Sequence, residues 1–333
     1  MKNLLSVSKI IKVYNQKKSP ALDEVSFKCK QGETLAIIGS SGSGKTTLLR
    51  IIAGLDMPDS GKVILNDKSI NDQNTFVSPE ERDCSLVFQD YALFPNMTVR
   101  QNVYFGKNAL NNPKKIQELL ELTKIDDLEN RFPHEISGGQ QQRVALVRAL
   151  TTSPSLLLMD EPLSHLDQEL RENVRSELIN LFRKTKMTVL FVSHDTEDAM
   201  AMADNIVVLN NGKVDQIGTP IEIYSSPVNQ YVALLFGKTN LIPLEFIPDC
   251  KHHFFDSKSK KEVVSVRPHQ LKITNNDSIK KSKSFACKVI SIHYKGAYQE
   301  ARLEFKKLLL TVHFEMNFEI QVGSSLDITF KES

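Results

Sequence analysis

One octapeptide limits this chain more than any other stretch. Gly39-Ser40-Ser41-Gly42-Ser43-Gly44-Lys45-Thr46 follows the continuous apolar run Thr34-Leu35-Ala36-Ile37-Ile38 and leads into a helix-forming segment, Thr46 to Ala53. A buried strand feeding a glycine-rich turn and then a helix is the context that a phosphate-binding loop requires. The glycines let backbone N–H groups turn inward onto phosphate oxygens. Those amides lie at a helix N-terminus, where the dipole favours anions. In that setting Lys45 reaches the β- and γ-phosphates of ATP. The Thr46 hydroxyl is placed to ligate Mg²⁺, and Thr47 follows it in the phosphate-facing turn. Gly54 stands where a helix C-cap belongs.

A second buried-strand run, Leu156-Leu157-Leu158-Met159, ends in two carboxylates, Asp160 and Glu161. The C-terminal edge of an open α/β sheet is where ligands bind. Asp160 is expected to hold Mg²⁺ through its water shell, because this ion dehydrates reluctantly. Glu161 is expected to polarise the attacking water, a role for a positioned base. A third device lies at Ser137-Gly138-Gly139-Gln140, ahead of a helix running to Leu150. Its serine hydroxyl and following amides read either as an ordinary N-cap or as a second anion site. Two phosphate-facing devices on one chain imply a nucleotide gripped from two sides.

Strand-type and helix-type segments alternate through the first two thirds of the chain. Residues 4 to 38 read as strands, and Gly61 to Asp67 as a hairpin edge. The part from about 90 to 155 is helix-rich, with helices from Pro113 to Lys124 and from Gln140 to Leu150. A polar helix from Gln168 to Lys184 separates the Leu156 run from Thr188-Val189-Leu190-Phe191-Val192, and Ile206-Val207-Val208-Leu209 follows. That order predicts a parallel sheet flanked by helices. Near Gly237 the texture changes to short β-type segments: Val263–Val266, Phe285–Ile292, Leu303–Phe305, Leu308–Phe314 and Leu326–Phe330. Lysine-rich turns at 258–261 and 280–283 separate some of them. The expected domains are therefore 1–237 and an all-β appendage at 238–333.

Composition excludes several classes. A formal net charge of +2 gives no electrostatic case for a nucleic-acid partner. No run approaches the roughly 18 apolar residues of a membrane span, and the first dozen residues lack a signal-peptide core. The cysteines, Cys29, Cys84, Cys250 and Cys287, have no metal-ligand or redox spacing and read as reduced thiols of a cytoplasmic protein.

With these motifs in order, the chain resembles the ATP-binding subunit of an ABC transporter. The phosphate loop matches Walker A, and residues 156–161 match Walker B with its catalytic glutamate. Residues 136–140 match the family signature, with Ile136 where leucine is usual. The resemblance implies further roles. Gln89 matches the Q-loop glutamine that contacts Mg²⁺ and the attacking water. Ser164-His165-Leu166-Asp167 matches the D-loop, with His165 departing from its small or amide residue. His194 matches the switch histidine at the γ-phosphate, and Tyr14 sits where an aromatic stacks on adenine. The implied fold is a P-loop α/β core with a helical signature subdomain, followed by an OB/TOBE-like β domain. The implied mechanism is a head-to-tail homodimer with ATP sandwiched, Lys45 and Glu161 of one copy facing Ser137 and Gly139 of the other.

The resemblance also implies partners. Transmembrane permease subunits are expected to dock on Tyr91-Ala92-Leu93-Phe94-Pro95-Asn96-Met97-Thr98-Val99. The chain would then sit peripherally on the cytoplasmic face of the membrane and serve an extracytoplasmic solute-binding protein indirectly. Gly218 to Tyr224 and Val264 to Pro268 resemble segments of importer ATPases for ferric iron, polyamine, sulfate, molybdate or sugar. Residues 131–143 and 197–204 look most like the ferric-iron and polyamine members, and the lean is to ferric iron. A non-transport ABC ATPase is the remote alternative, disfavoured because neither a second ATPase domain nor a long coiled coil is present. A metabolic kinase is disfavoured by Ser137 to Gln140 and by the β appendage.

Overall fold

The computed structural model describes residues 2–14, 19–106, 113–164, 166–248, 250–273 and 284–330. His165 and the lysine-rich turn at 280–283 lie outside the described residues. The chain divides into two compact units, Met1–Ile221 and Glu222–Ser333.

The first unit opens with β1 (Asn3–Lys12), β2 (Leu22–Lys30) and β3 (Thr34–Ile38), which runs into the glycine loop and α1 (Lys45–Ala53). Next come β4 (Ser60–Leu65), β5 (Lys68–Asn71) and β6 (Cys84–Val87). A helical stretch holds α2 (Val99–Val103), α3 (Pro113–Leu122) and α4 (Gly138–Thr151). The unit then runs through β7 (Leu156–Asp160), α5 (Gln168–Thr185), β8 (Thr188–Ser193), α6 (Thr196–Met202), β9 (Asn205–Asn210) and β10 (Lys213–Gly218). The expected hairpin turns at Asn66 and Asp67, both left-handed at φ 48° and 62°, a conformation that these residue types tolerate.

Two sheets form. One is antiparallel, in the order β2-β1-β4-β5. The other has the order β10-β9-β3-β8-β7-β6 and is parallel except at β10. Every residue of β3 and β8 is buried, as expected for strands covered on both faces. Leu48, Leu49, Ile51 and Ile52 of α1 share one apolar core with residues of both sheets, including Leu5, Val25, Leu158 and Leu190. The register then decides the function. Ile38 pairs with Ser193, and Asp160 pairs with Val192. The residues that leave β3, β7 and β8 therefore emerge side by side on one edge.

The second unit begins within α7 (Pro220–Ser225), and α8 (Gln230–Leu235) follows. Its strands are β11 (Asn240–Pro243), β12 (Phe254–Asp256), β13 (Lys261–Val266), β14 (Leu271–Ile273), β15 (Ser284–Tyr294), β16 (Tyr298–Phe305), β17 (Leu308–Glu315) and β18 (Ser325–Phe330). They pair antiparallel in two sheets, β11-β13-β12 and β14-β18-β15-β16-β17. The unit starts earlier than the change of texture at 237, and Arg267 supplies the reason. This side chain is 1% exposed. It donates to the carbonyls of Ala233 (2.8 Å), Gly237 (3.1 Å) and Tyr224 (3.0 Å), and stacks on the Tyr224 ring at 4.1 Å. Those bonds tie residues 224–237 to the β strands.

Candidate active site

The glycine loop turns as tightly as its sequence requires. A Cβ at Gly39 would lie 2.2 Å from the Leu209 carbonyl oxygen, and one at Gly44 would lie 2.4 Å from that of Ala21. Gly44 also adopts φ +103°, which side-chain-bearing residues rarely reach. Ser41 and Gly42 form the exposed crest, and Ser43 is buried with its hydroxyl unpartnered. Lys45 folds back so that its ammonium donates to the Gly39 (2.8 Å) and Ser40 (3.1 Å) carbonyls. Burial pulls its pKa down, and the charges of Glu161 and Asp160 oppose that shift.

Thr46 Oγ1 lies 3.5 Å from Asp160 Oδ1. Burial and the neighbouring Glu161 push the Asp160 pKa up, while Thr46 opposes this. Arg50 and Lys45 also oppose the rise, yet burial and Glu161 outweigh them. With the Thr46 hydroxyl, Asp160 offers two hard oxygen donors, the ligand type that suits Mg²⁺.

Glu161 leaves β7 in a left-handed conformation, φ 45°. Such backbone strain in a non-glycine residue persists where the surroundings over-determine it, often at functional sites. Its N–H donates to the Val192 carbonyl at 3.0 Å. Its Oε2 lies 2.9 Å from Nδ1 of His194, whose side chain is 56% exposed. Tyr14, Ser41, Gly42, Gly44, Lys45, Thr46, Thr47, Glu161 and His194 line one cleft of about 580 Å³.

Tyr14 stands at its rim, 62% exposed. Its hydroxyl donates to Asp56, which also pairs with Lys12 at 2.8 Å. The Lys12 ammonium lies 5.1 Å from the Tyr14 ring centre. Nothing in the sequence singled out Lys12 or Asp56, since the contact joins residues 42 apart.

The remaining expected residues lie outside that lining. Gln89 is exposed, and its Nε2 donates to Ser164 Oγ at 3.4 Å. Asp167 caps α5 by accepting from the Leu170 N–H at 2.9 Å. Ser137 caps α4, and a reciprocal bond from its N–H to Gln140 Oε1 (2.9 Å) completes a capping box. Ser137 and Gly138 are exposed. The two phosphate-facing devices are thus on one chain but not in one cleft.

The expected docking run is only partly a surface. Tyr91 is 6% exposed and Val99 is fully buried, which corrects their reading as exposed apolar residues. Both serve packing, and Phe94 is the large apolar side chain of the run left exposed, at 36%. Two side chains that sequence reading missed shape the run. Asn102, fully buried, accepts from Phe94 N–H (2.8 Å) and donates to the carbonyls of Phe94, Met97 and Thr98 at 3.0–3.1 Å. Arg148 of α4 donates to the carbonyls of Tyr91 (2.9 Å) and Ala92 (2.8 Å).

Residues 22–164 match the family described as ABC transporter. The sulfate/thiosulfate import ATP-binding protein CysA 2 of Chromobacterium violaceum is 47% identical over 229 residues, 68% of this chain and 62% of that protein. The spermidine/putrescine import ATP-binding protein PotA of Clostridioides difficile is 37% identical over 344 residues, 98% of this chain and 96% of that protein. Among solved structures, cbiO1 from Clostridium perfringens, part of the ABC transporter complex cbiONQ, aligns with a TM-score of 0.60 at 28% identity. That alignment covers 67% of this chain and 91% of cbiO1. The ATP-binding cassette MJ0796, a dimer in a post-hydrolysis state bound to ADP and Pi, aligns with a TM-score of 0.56 at 30% identity, covering 65% of this chain and 98% of its own. Neither curated relative is named for iron, so the lean to ferric iron finds no support in them. Likeness that runs from end to end, on a sheet edge assembled in this way, makes the chain a member of the ABC transporter family, among its ATP-binding ATPases.

Proposed function

We propose that this chain is the ATP-hydrolysing subunit of an import complex for polyamines, acting as a pair of copies on the cytoplasmic face of the membrane. One observation carries the two-copy reading: the glycine loop, Glu161 and His194 line one cleft, while the exposed Ser137 and Gly138 lie outside that lining. A second copy placed head to tail supplies the missing wall with its α4 N-terminus. The backbone amides of residues 40–46 and Lys45 bind the phosphates, and Tyr14 offers its ring to the base. Thr46 and Asp160 are the residues that would hold Mg²⁺, with Gln89 reaching in from its loop; the ion neutralises phosphate charge. Glu161 accepts a proton from the attacking water, His194 steadies the γ-phosphoryl group, and ADP and phosphate leave. Asp167 would face the second copy at the seam. In this reading the first compact unit, Met1–Ile221, is the ATPase domain, and the second, Glu222–Ser333, a TOBE-like regulatory domain.

The polyamine class rests on coverage. The likeness to the spermidine/putrescine protein spans both units, whereas that to the sulfate/thiosulfate protein spans 68% of the chain. Sulfate is therefore the second reading. Membrane permease subunits would dock at 91–99 around Phe94. Glu161→Gln should keep ATP binding, because an amide still bonds His194, yet slow hydrolysis by roughly 10²–10⁴-fold. With Mg-ATP saturating, light scattering should report a dimer; a monomer that still hydrolyses ATP would refute the assignment. Uptake of labelled spermidine and of labelled sulfate in a deletion strain separates the two substrate classes.

A further inference from the structure

We infer that Arg171 is a positioning residue for hydrolysis: its ion pair with Asp195 ties His194 to the first turn of α5. This rests on the reading of Glu161 and His194 as the hydrolytic pair.

Among the described residues, the polar contact of the His194 side chain is with Glu161. The histidine's place is set by its neighbours. Ser193 ends β8, 4% exposed. Asp195 is engaged at three points. Its N–H donates to Ser193 Oγ at 2.9 Å, its Oδ1 accepts from the Glu197 N–H at 2.8 Å, and its Oδ2 pairs with Arg171. The first two bonds are local, within two residues of Asp195. The third anchors the turn after His194 to another helix.

In the proposed two-copy assembly, the N-terminal end of α5 faces the seam. Asp167 caps it, and Arg171 N–H donates to the Asp167 carbonyl at 2.9 Å. Leu170, beside Arg171, packs under the signature: a Cβ on Gly139 would lie 3.3 Å from its side chain. One turn of helix thus carries the seam aspartate, a contact beneath the signature and the anchor of the switch histidine.

A second ion pair lies one turn further along both helices, and the two differ in kind. Arg175 joins Asp198 through Nε at 2.9 Å and Nη2 at 2.7 Å, and Asp198 is 4% exposed. Both donors converge on Oδ1, so two N–H groups of the fork are engaged in one charge-assisted pair. Arg171 reaches Asp195 through Nη1, while its Nε is buried without a partner. A buried donor left unpaired is unfavourable. The upper pair therefore sacrifices satisfaction for reach, and the lower pair carries stability.

The test uses the full chain and steady-state ATP hydrolysis. Arg171→Gln and Asp195→Asn each break the upper pair, and asparagine keeps the α6 cap. Each should lower kcat by roughly 10- to 100-fold, the penalty for misplacing a reacting group. KM for ATP should stay within about twofold, since binding is not at stake. The double variant should be no slower than the slower single. Arg171→Lys should recover part of kcat. Arg175→Gln should lower Tm and leave kcat at a temperature well below its transition within about twofold. An unchanged kcat in Arg171→Gln overturns the inference, as do additive losses in the double variant or an equal kcat loss in Arg175→Gln. Glu161→Gln runs alongside: if it hydrolyses ATP normally, the hydrolytic pair itself is wrong, whereas if only Arg171→Gln is silent, the positioning role alone fails.

Discussion

Arg82→Met removes the guanidinium that closes the far end of the phosphate-loop helix. Arg82 is 5% exposed. Its Nη1 donates to the carbonyls of Ile51 (2.7 Å) and Ile52 (2.8 Å) in the last turn of α1, its Nε to Val77 (2.8 Å) and its Nη2 to Ile70 (3.3 Å). Ile51 and Ile70 keep a second partner, accepting from Gly54 N–H at 3.2 Å and Val77 N–H at 3.0 Å. Among the described residues the buried Ile52 carbonyl is left without a partner, whereas the Val77 carbonyl is only part-buried. A buried acceptor without a partner costs about 1–3 kcal/mol. Loss of a cation at a helix C-terminus adds up to about 2 kcal/mol in partly buried geometry. Two terms oppose these. Burial lowers the Arg82 pKa, so its removal relieves a desolvation cost. Methionine also keeps much of the apolar stem in place. A net loss of about 3 kcal/mol follows. With a urea slope of about 2 kcal/mol per molar, the midpoint should fall by about 1.5 M. The assay is amide exchange of the 45–53 segment of the full chain across a urea series. Arg82→Lys keeps the charge but not the fork, and should lose about half as much. Saturating ATP should restore part of the midpoint by mass action, because α1 carries Lys45 and Thr46 at its other end. A shift below about 0.5 M in Arg82→Met, or an equal shift in the lysine variant, would refute the capping argument.

Asn102→Ala should free the 94–98 loop from its four backbone bonds while leaving ATP affinity unchanged; pull-down of membrane subunits should drop several-fold, and undiminished pull-down would remove this run as the docking surface. Acid stability of the second unit should depend on Lys238. That ammonium meets both oxygens of Glu300 at 2.7 Å and holds its carboxyl below the usual range. A depressed folded pKa stabilises above the ordinary glutamate value of about 4.3, and the contribution disappears as pH falls through the folded value. Lys238→Met should therefore lower Tm at pH 6, and its difference from the wild type should narrow as pH falls below about 4.3, measured by circular dichroism; a difference that stays constant with falling pH would point to packing instead.

The sequence revealed most where chemistry is local. A five-residue apolar strand, a glycine turn and a helix specify a phosphate loop within twenty residues, and α1 and β3 formed within a residue of their expected ends. The convergence of Gly39, Glu161 and His194 was implied as well, since parallel strands in register must deliver their ends to one edge. What stayed hidden is carried by single polar side chains that reach across the chain to backbone carbonyls. Arg82 acts over 31 residues, Arg148 over 57 and Arg267 over 43. An arginine in a string of letters reads as surface, because burial of a charge is the exception. Its acceptors carry no signature, because every residue has a carbonyl. The same asymmetry explains why the lean toward iron finds no support in the named relatives. Residues around the signature and the switch answer to ATP, to the second copy and to the fold, which any imported solute shares. Likeness along the whole chain is therefore the observation that bears on the solute.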